Sequence, residues 1–212
     1  MRWIEADITS IKSISQRTLA LHWARAAAGR PFPKFEEFCP PSRGHDPKYL
    51  VFWQVEGPVG NRDFRTMYQG KFIADAFHEK WEGRHMKDLI PGKLLAPALA
   101  GANACVDQGT AIYMVYTTED ASGNRLDCER LLLPFGDPNT GVRQFMASME
   151  PISTKGDASL ATALEYFVRD FQITLALQIK AVYPANTILQ RQESAQKSHS
   201  ECPTLAKVRS SA

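Results

Sequence analysis

The strongest constraint on the fold is a stretch in which three β-rich segments are separated by short turn sequences. Residues 110–118, 126–135 and 142–149 are rich in aromatic and branched apolar side chains. Between them, residues 120–124 and 136–141 are rich in Gly, Asn and Asp, which favour tight turns. Connections this short join antiparallel strands. The sequence therefore predicts a meander of three antiparallel strands.

A second pair of strands precedes this meander. Residues 49–56 and 63–69 are β-rich and flank a turn sequence at 57–61. Residues 71–91 predict short helices, and residues 93–108 predict a longer helix whose many Ala and Gly residues would let it lie close to a sheet. This order predicts an α+β fold in which a five-stranded antiparallel sheet carries helices on one face.

Helical periodicity marks segments on both sides of this core. Residues 15–28 predict a helix, and a proline-rich extended connection with three phenylalanines follows it. Residues 160–181 predict a strongly amphipathic helix, and the polar composition beyond it predicts disorder. The predicted organisation is an N-terminal segment (1–14), a core domain with its N-terminal helix (15–152), a C-terminal amphipathic helix (153–187) and a disordered tail (188–212).

Composition and charge limit the classes of partner. The chain of 212 residues has 25 Lys and Arg against 23 Asp and Glu, and this net charge of +2 favours neither nucleic acid nor a membrane surface. No signal peptide is recognisable, so we expect a cytoplasmic protein. The four cysteines are scattered without a Cys-x-x-Cys pair, so we expect reduced thiols and no metal site.

Five local motifs follow one another along the chain. They are His22-Trp23, Gly29-Arg30-x-x-Pro33, Arg65-Thr-Met-Tyr-Gln-Gly70, Trp81-Glu-Gly-Arg-His-Met-Lys-Asp-Leu89 and Glu129-Arg-Leu-Leu-Leu-Pro-Phe135. Together with the order of strands and helices, they resemble the PAS domain family, in particular the small single-domain PAS proteins of bacteria. The resemblance covers approximately residues 19–151.

The resemblance implies a role in regulation rather than a reaction. PAS domains share a fold but bind different small molecules or act as protein-interaction modules, so function must be argued from the site. For this chain the resemblance implies a non-catalytic sensory domain that binds a small molecule, an unidentified signalling protein, or both. A pure interaction scaffold with a filled core is an open alternative.

A ligand of such a domain would lie between the helices and the sheet. Apolar pockets with a few polar groups are the usual form of ligand sites. The candidate pocket residues are Phe72, Phe77, His78, Trp81, His85, Met86, Leu95, Leu99, Tyr113 and Met146. The alternative is that these side chains fill the core at normal density.

Three sharper hypotheses concern cofactors and catalysis. A haem would need an axial histidine, for which only His78 and His85 are reasonable candidates. A light-sensing flavin domain would need a reactive cysteine before the long helix, and Cys105 does not match that setting. We therefore expect neither cofactor. A small pocket enzyme could use Asp75 and His78 as an acid–base pair, although a surface pair on a helix explains their spacing equally well.

Apolar helix faces on both sides of the core predict a homodimer. Helices that flank a PAS core commonly pair between subunits, and an apolar helix face must be buried by its own sheet or by a second chain. The candidate interface residues are Leu19, Trp23, Phe167, Phe171 and Leu175.

Overall fold

A seven-stranded sheet with helices on both faces organises the chain in the computed structural model, which describes residues 2–39, 46–90, 92–119, 125–153 and 171–180. The strands are β1 (Ile4–Asp7), β2 (Leu50–Glu56), β3 (Asp63–Gln69), β4 (Ala111–Glu119), β5 (Arg125–Asp137), β6 (Gly141–Ser153) and β7 (Gln172–Lys180). The helices are α1 (Ile14–Ala27), α2 (Lys71–Phe77), α3 (Met86–Leu89) and α4 (Gly92–Gln108), with 3-10 turns at Ile8–Ser10, Phe35–Glu37 and Pro47–Tyr49.

The sheet confirms the predicted α+β class and most of the predicted order. Its strands run β1-β7-β4-β5-β6-β2-β3, and every neighbouring pair is antiparallel except the parallel pair β1–β7. Between β2 and β6 the elements follow the sequence implied by the PAS resemblance: two strands, a helical crossing and three strands. The predicted number of five strands is wrong, because β1 and β7 extend the sheet beyond β4.

The C-terminal helix prediction is wrong for residues Gln172–Lys180, which form β7. Residues 173–179 alternate between isoleucine or leucine and polar or small residues, which is the pattern of a strand. β4 offers an antiparallel edge on which this segment pairs, with a register shift between Val115 and Tyr116. The remaining parts of the predicted helix (154–170) and the predicted tail (181–212) lie outside the described residues.

The two faces of the sheet carry different layers. On β5, alternation places Glu129 on the face of α1 and Arg130 and Leu132 on the face of α4. α4 lies so close to the sheet that a Cβ atom at Gly101 would be 2.9 Å from the Sδ atom of Met114. The predicted close approach of a small-residue helix is therefore confirmed. Helices α2, α3 and α4 share one face, as predicted, whereas α1 covers the other.

The α1 face buries the apolar stripe of the first helix within the chain itself. Leu19 and Trp23 are buried, and the indole Nε1 of Trp23 donates a hydrogen bond of 2.7 Å to the carbonyl oxygen of Pro134. Phe35 and Phe38 in the proline-rich segment pack on the ring of Phe135, with centroids 5.4 and 5.2 Å away. The interface candidates Leu19 and Trp23 are therefore covered by their own sheet.

The amino end of α1 is anchored to two carboxylates of the sheet. The backbone N–H of Ser13 donates to Oε2 of Glu129 at 2.9 Å, and the hydroxyls of Ser13 and Ser15 donate to Glu150 at 2.6 and 2.7 Å. Nε2 of the buried Gln16 donates to the carbonyl oxygens of Glu129 and Ser148 at 3.1 and 3.2 Å. Carboxylates at a helix amino terminus interact favourably with the helix dipole.

Glu129 is fully buried in this contact, and burial raises the pKa of its carboxyl group. Hydrogen bonds from Tyr113 and from the backbone of Ser13, and the charge of Lys12, oppose the shift, whereas the charge of Glu150 adds to it. The folded state therefore favours the protonated acid. The contribution of Glu129 to the free energy of unfolding is therefore fully present below the pKa of the unfolded chain. It is lost as the pH rises through the higher pKa of the folded state.

We predict that Glu129→Gln removes this part of the pH dependence. Between about pH 4 and about pH 8, the free energy of unfolding of the wild type, measured by urea titration, should fall more than that of the variant. The matched control is Asp137→Asn, since the backbone N–H of Asn139 lowers the pKa of Asp137 and its contribution is lost on acidification instead. Parallel curves for Glu129→Gln and wild type would contradict the prediction.

Candidate functional site

A cleft of about 50 Å³ lies between the sheet and the helical crossing. Its helical side is formed by Phe77, Trp81, Ile90, Leu94 and Ala98. Its sheet side is formed by Val51, Trp53, Tyr116, Cys128, Ala147 and Met149, with Arg130 among them. The walls are therefore mostly apolar, and one charged side chain enters them.

Two indole rings are fixed in the cleft wall by packing and by the backbone. The ring centroids of Trp53 and Trp81 are 6.0 Å apart, and the ring of Phe77 lies 4.5 Å from Trp81. The backbone N–H of Trp81 donates to Oε1 of Gln69 at 3.0 Å. Nevertheless, the Nε1–H groups of both indoles are buried and have no hydrogen-bond partner among the described residues.

Arg130 is the charged side chain of the cleft, and only 7% of it is exposed. It lies at the centre of the sheet, in register with Met114 on β4 and Met149 on β6. Its Nε–H is buried without a partner in the described part of the chain. None of the ion pairs between described residues involves it.

The charge of Arg130 acts on its polar neighbours. Burial raises the pKa of the Tyr116 hydroxyl, and the guanidinium group opposes that rise. Burial likewise raises the pKa of the Cys128 thiol to about 12, again against the influence of Arg130. Both groups are therefore protonated at neutral pH, so Cys128 is a poor nucleophile.

The predicted pocket residues are only partly brought together. Phe77 and Trp81 line the cleft. Met86 is fully buried, Phe72 packs on Tyr49 with ring centroids 4.5 Å apart, and Leu95 and Leu99 pack against the core without lining the cleft. These four are thus core residues next to the cleft rather than part of its wall.

The pocket candidates Tyr113 and Met146 lie on the opposite face of the sheet from this cleft. The hydroxyl of Tyr113 accepts a hydrogen bond of 3.2 Å from the backbone N–H of Lys12, next to α1. Met146 is adjacent to Ala147, which lines the cleft, and strand alternation turns it the other way. The sequence identified the strands but left the face of each residue open.

The two candidate histidines lie outside the cleft. Nε2 of His85 is 3.0 Å from Oε2 of Glu56, whose other oxygen accepts from Nε of Arg65 at 2.6 Å. These contacts lower the pKa of Glu56, with Arg65 as the larger cause. His78 is exposed at the end of α2 and has a positive φ of 53°.

The hypothetical acid–base pair of the enzyme alternative is not assembled. The carboxylate of Asp75 forms an exposed ion pair of 2.6 Å with Nζ of Lys71. Neither Asp75 nor His78 lines the cleft, and general acid–base chemistry needs both groups beside the reacting atoms.

Sequence reasoning missed Trp53 and Arg130, the residues that give the cleft its polar character. The available signal was the pair Glu129-Arg130 in the middle of an apolar strand, since charged side chains are seldom fully buried.

The cleft is smaller than an ordinary cofactor site. Its volume of about 50 Å³ is far below the roughly 300 to 1,000 Å³ of ordinary cofactor and drug sites. No described histidine lines it, and Cys105 is fully buried in α4 away from its wall.

The described residues contain no group of three or more histidine, cysteine or acidic side chains that could hold a metal ion. None of the helices that the structure describes is long and apolar enough to cross a membrane.

Comparisons with known proteins gave only remote structural matches. No family model matches the chain, and no curated protein matches it. A structure of a variant of RsLOV aligns with a TM-score of 0.37 and 16% identity over 52% of this chain. A light-oxygen-voltage domain studied with a flavin analogue aligns with a TM-score of 0.37 and 13% identity, over 55% of this chain and 82% of its own.

The alignment with RsLOV spans 63% of that protein, which is less than two thirds of its length. At this level of similarity, neither match carries a conclusion about what the present chain binds.

The burial of the cleft thiol has a testable chemical consequence. With native protein and iodoacetamide at neutral pH, we expect alkylation of the exposed Cys39, and at least about 100-fold slower alkylation of Cys105 and Cys128. Peptide mass spectrometry at timed intervals measures this. Unfolding in urea is the control, since it should equalise the rates. Rapid alkylation of Cys128 in the native protein would show that the cleft is open and polar.

Proposed function

We propose that this chain is a cytoplasmic, PAS-like sensory domain that binds a small molecule in the cleft described above and passes the change to a partner protein. One observation carries the proposal. Three residues of the cleft wall, Trp53, Trp81 and Arg130, each carry a buried hydrogen-bond donor that has no partner among the described residues.

Buried donors are rarely left without a hydrogen bond, for an energetic reason. Burying a polar group without a hydrogen bond costs about 1–3 kcal/mol, and more for a charged group. Most buried polar groups in folded proteins are therefore paired. Because three residues of one apolar wall carry such donors, a ligand that accepts hydrogen bonds would account for all three.

A binding role is better supported than a catalytic one. The thiol on the cleft wall is protonated, and Asp75 and His78 are exposed elsewhere. The polar groups that line the cleft are therefore suited to holding a molecule rather than to proton transfer or nucleophilic attack.

The effect of ligand binding would be passed on through contacts with another protein chain. The proposed homodimer interface includes β7, where the side chain of Leu175 is partly buried, and Phe171, whose ring lies 5.7 Å from the ring of Tyr116. Phe167 lies outside the described residues. Because Tyr116 lines the cleft, this contact gives a ligand a direct route to the dimer surface.

The second candidate function is a protein-interaction scaffold without a ligand. The small cleft volume of about 50 Å³ favours it, because a few ordered waters would fill that space. The two functions make different predictions for a variant whose cleft is filled by a larger side chain. A sensor would lose its small-molecule ligand, whereas a scaffold would have no ligand to lose.

We predict that Ala98→Leu, which adds three carbons to the cleft wall, removes small-molecule binding. Native mass spectrometry of wild-type protein purified from its own cells should show a bound small molecule, and the variant should lose it. The control is Ala96→Leu on the exposed side of the same helix, which should retain the ligand. A wild type without bound mass, and without a thermal shift from any compound in a metabolite set, would support the scaffold instead.

A further inference from the structure

The polar atoms that lack partners in the cleft are all donors. A guanidinium group and an indole nitrogen can donate hydrogen bonds but cannot accept them. The hydroxyl of Tyr116 donates to the Sδ atom of Met114 at 3.4 Å and also hydrogen-bonds with Arg130, which leaves it little capacity for a ligand. No described residue of the cleft wall carries a carboxylate. The lining therefore favours a ligand group that only accepts.

Arg130 adds a positive charge to this set of donors, and no described residue of the cleft wall balances that charge. An arginine does not lose its proton in a protein, so burial cannot neutralise it. Glu129, the nearest carboxylate along the chain, faces the opposite side of the sheet and accepts from the backbone N–H of Ser13. A buried charge without a counter-ion is costly, and an anion in the cleft would remove that cost.

The remaining wall is apolar and the space is small. Leu94, Ala98, Val51 and Met149 offer no group for a second charge. If one water needs about 10–15 Å³ of such a cavity, the 50 Å³ hold about three to five water-sized groups. A ligand of this size has room for one anionic group and a short hydrocarbon body.

We infer that the ligand is a small monocarboxylate with a short apolar body, held by Arg130 together with the indole N–H groups of Trp53 and Trp81. This inference rests on the proposed function and specifies its ligand class. The planar fork of a guanidinium group matches both oxygens of a carboxylate, which explains why an arginine is suited to this position. The two indoles donate to the remaining lone pairs, and the hydrocarbon body packs on α4.

The test compares butyrate with its uncharged isostere butyramide. Binding is measured by isothermal titration calorimetry and by the fluorescence of the cleft tryptophans. Wild-type protein should bind butyrate about 10- to 100-fold more tightly than butyramide, the factor expected for hydrogen bonds to a charged group. Arg130→Met should lose this preference, whereas Arg143→Met, an exposed arginine on β6, should keep it.

The stability of the unliganded variant gives an independent readout. Replacing an uncompensated buried charge by an apolar side chain of similar length is often neutral or stabilising. We therefore expect unliganded Arg130→Met to have a Tm equal to or above that of the wild type. A clear fall in Tm would show that the guanidinium already has its partner within the folded chain, and would overturn the inference.

The outcomes separate the ligand class from ligand binding itself. Benzene, an apolar probe, tests the cleft without regard to charge. If benzene or butyramide binds as well as butyrate, the proposed function stands and the anionic ligand class is wrong. If chloride or nitrate binds as tightly as butyrate, the hydrocarbon part of the inference is wrong. If none of them binds, the inference and the proposed function both fail.

Discussion

The alternation of side chains along β5 is the constraint on which the arrangement depends. Glu129 and Arg130 are adjacent in sequence, are both almost fully buried, and are an acidic and a basic side chain. Because successive residues of a strand point to opposite faces, the two side chains cannot pair with each other. One side of the sheet must therefore supply partners for a carboxyl group, and the other side must supply them for a guanidinium group.

The two faces meet this demand in different ways. On the α1 face, the backbone of Ser13 donates to Glu129, and Gln16 donates to the carbonyl oxygens of the strand. On the α4 face, Arg130 hydrogen-bonds with the hydroxyl of Tyr116, and no described residue of the cleft wall carries a carboxylate. An anion that binds Arg130 would act one peptide bond away from the anchor of α1. Such coupling requires that the two states of the α1 contact differ in affinity for the ligand.

Local sequence chemistry was sufficient to predict the central part of this fold. Turn residues predicted the hairpins, and the apolar stripe with Leu19 and Trp23 predicted α1. Both kinds of element depend on residues that are close together in the sequence. The missed elements depend on distant partners: β1 pairs with β7 across the whole chain, with Ile4 opposite Leu177. For β7, the apolar spacing over residues 160–171 predicted a helix, although the alternation over 173–179 already indicated a strand.

The site was harder to predict than the fold for a related reason. A sequence shows that a strand contains a charged pair, but only the register shows which member faces the cleft. Tyr113 and Tyr116 illustrate this, since both lie on β4 and only Tyr116 lines the cleft. The absence of a partner for the indole of Trp53 is likewise a property of packing that no spacing of residues reveals.

The most direct test of the account is the side-chain NMR signal of the Arg130 Nε–H group, assigned by its loss in Arg130→Met. In the unliganded protein the account predicts a slowly exchanging signal without the downfield shift of a charge-assisted hydrogen bond, and a downfield shift of this signal on addition of butyrate. The signal of the exposed Arg143 should not move. An Arg130 signal that is already shifted downfield without ligand, and that butyrate leaves unchanged, would contradict the claim that this buried charge awaits an anion.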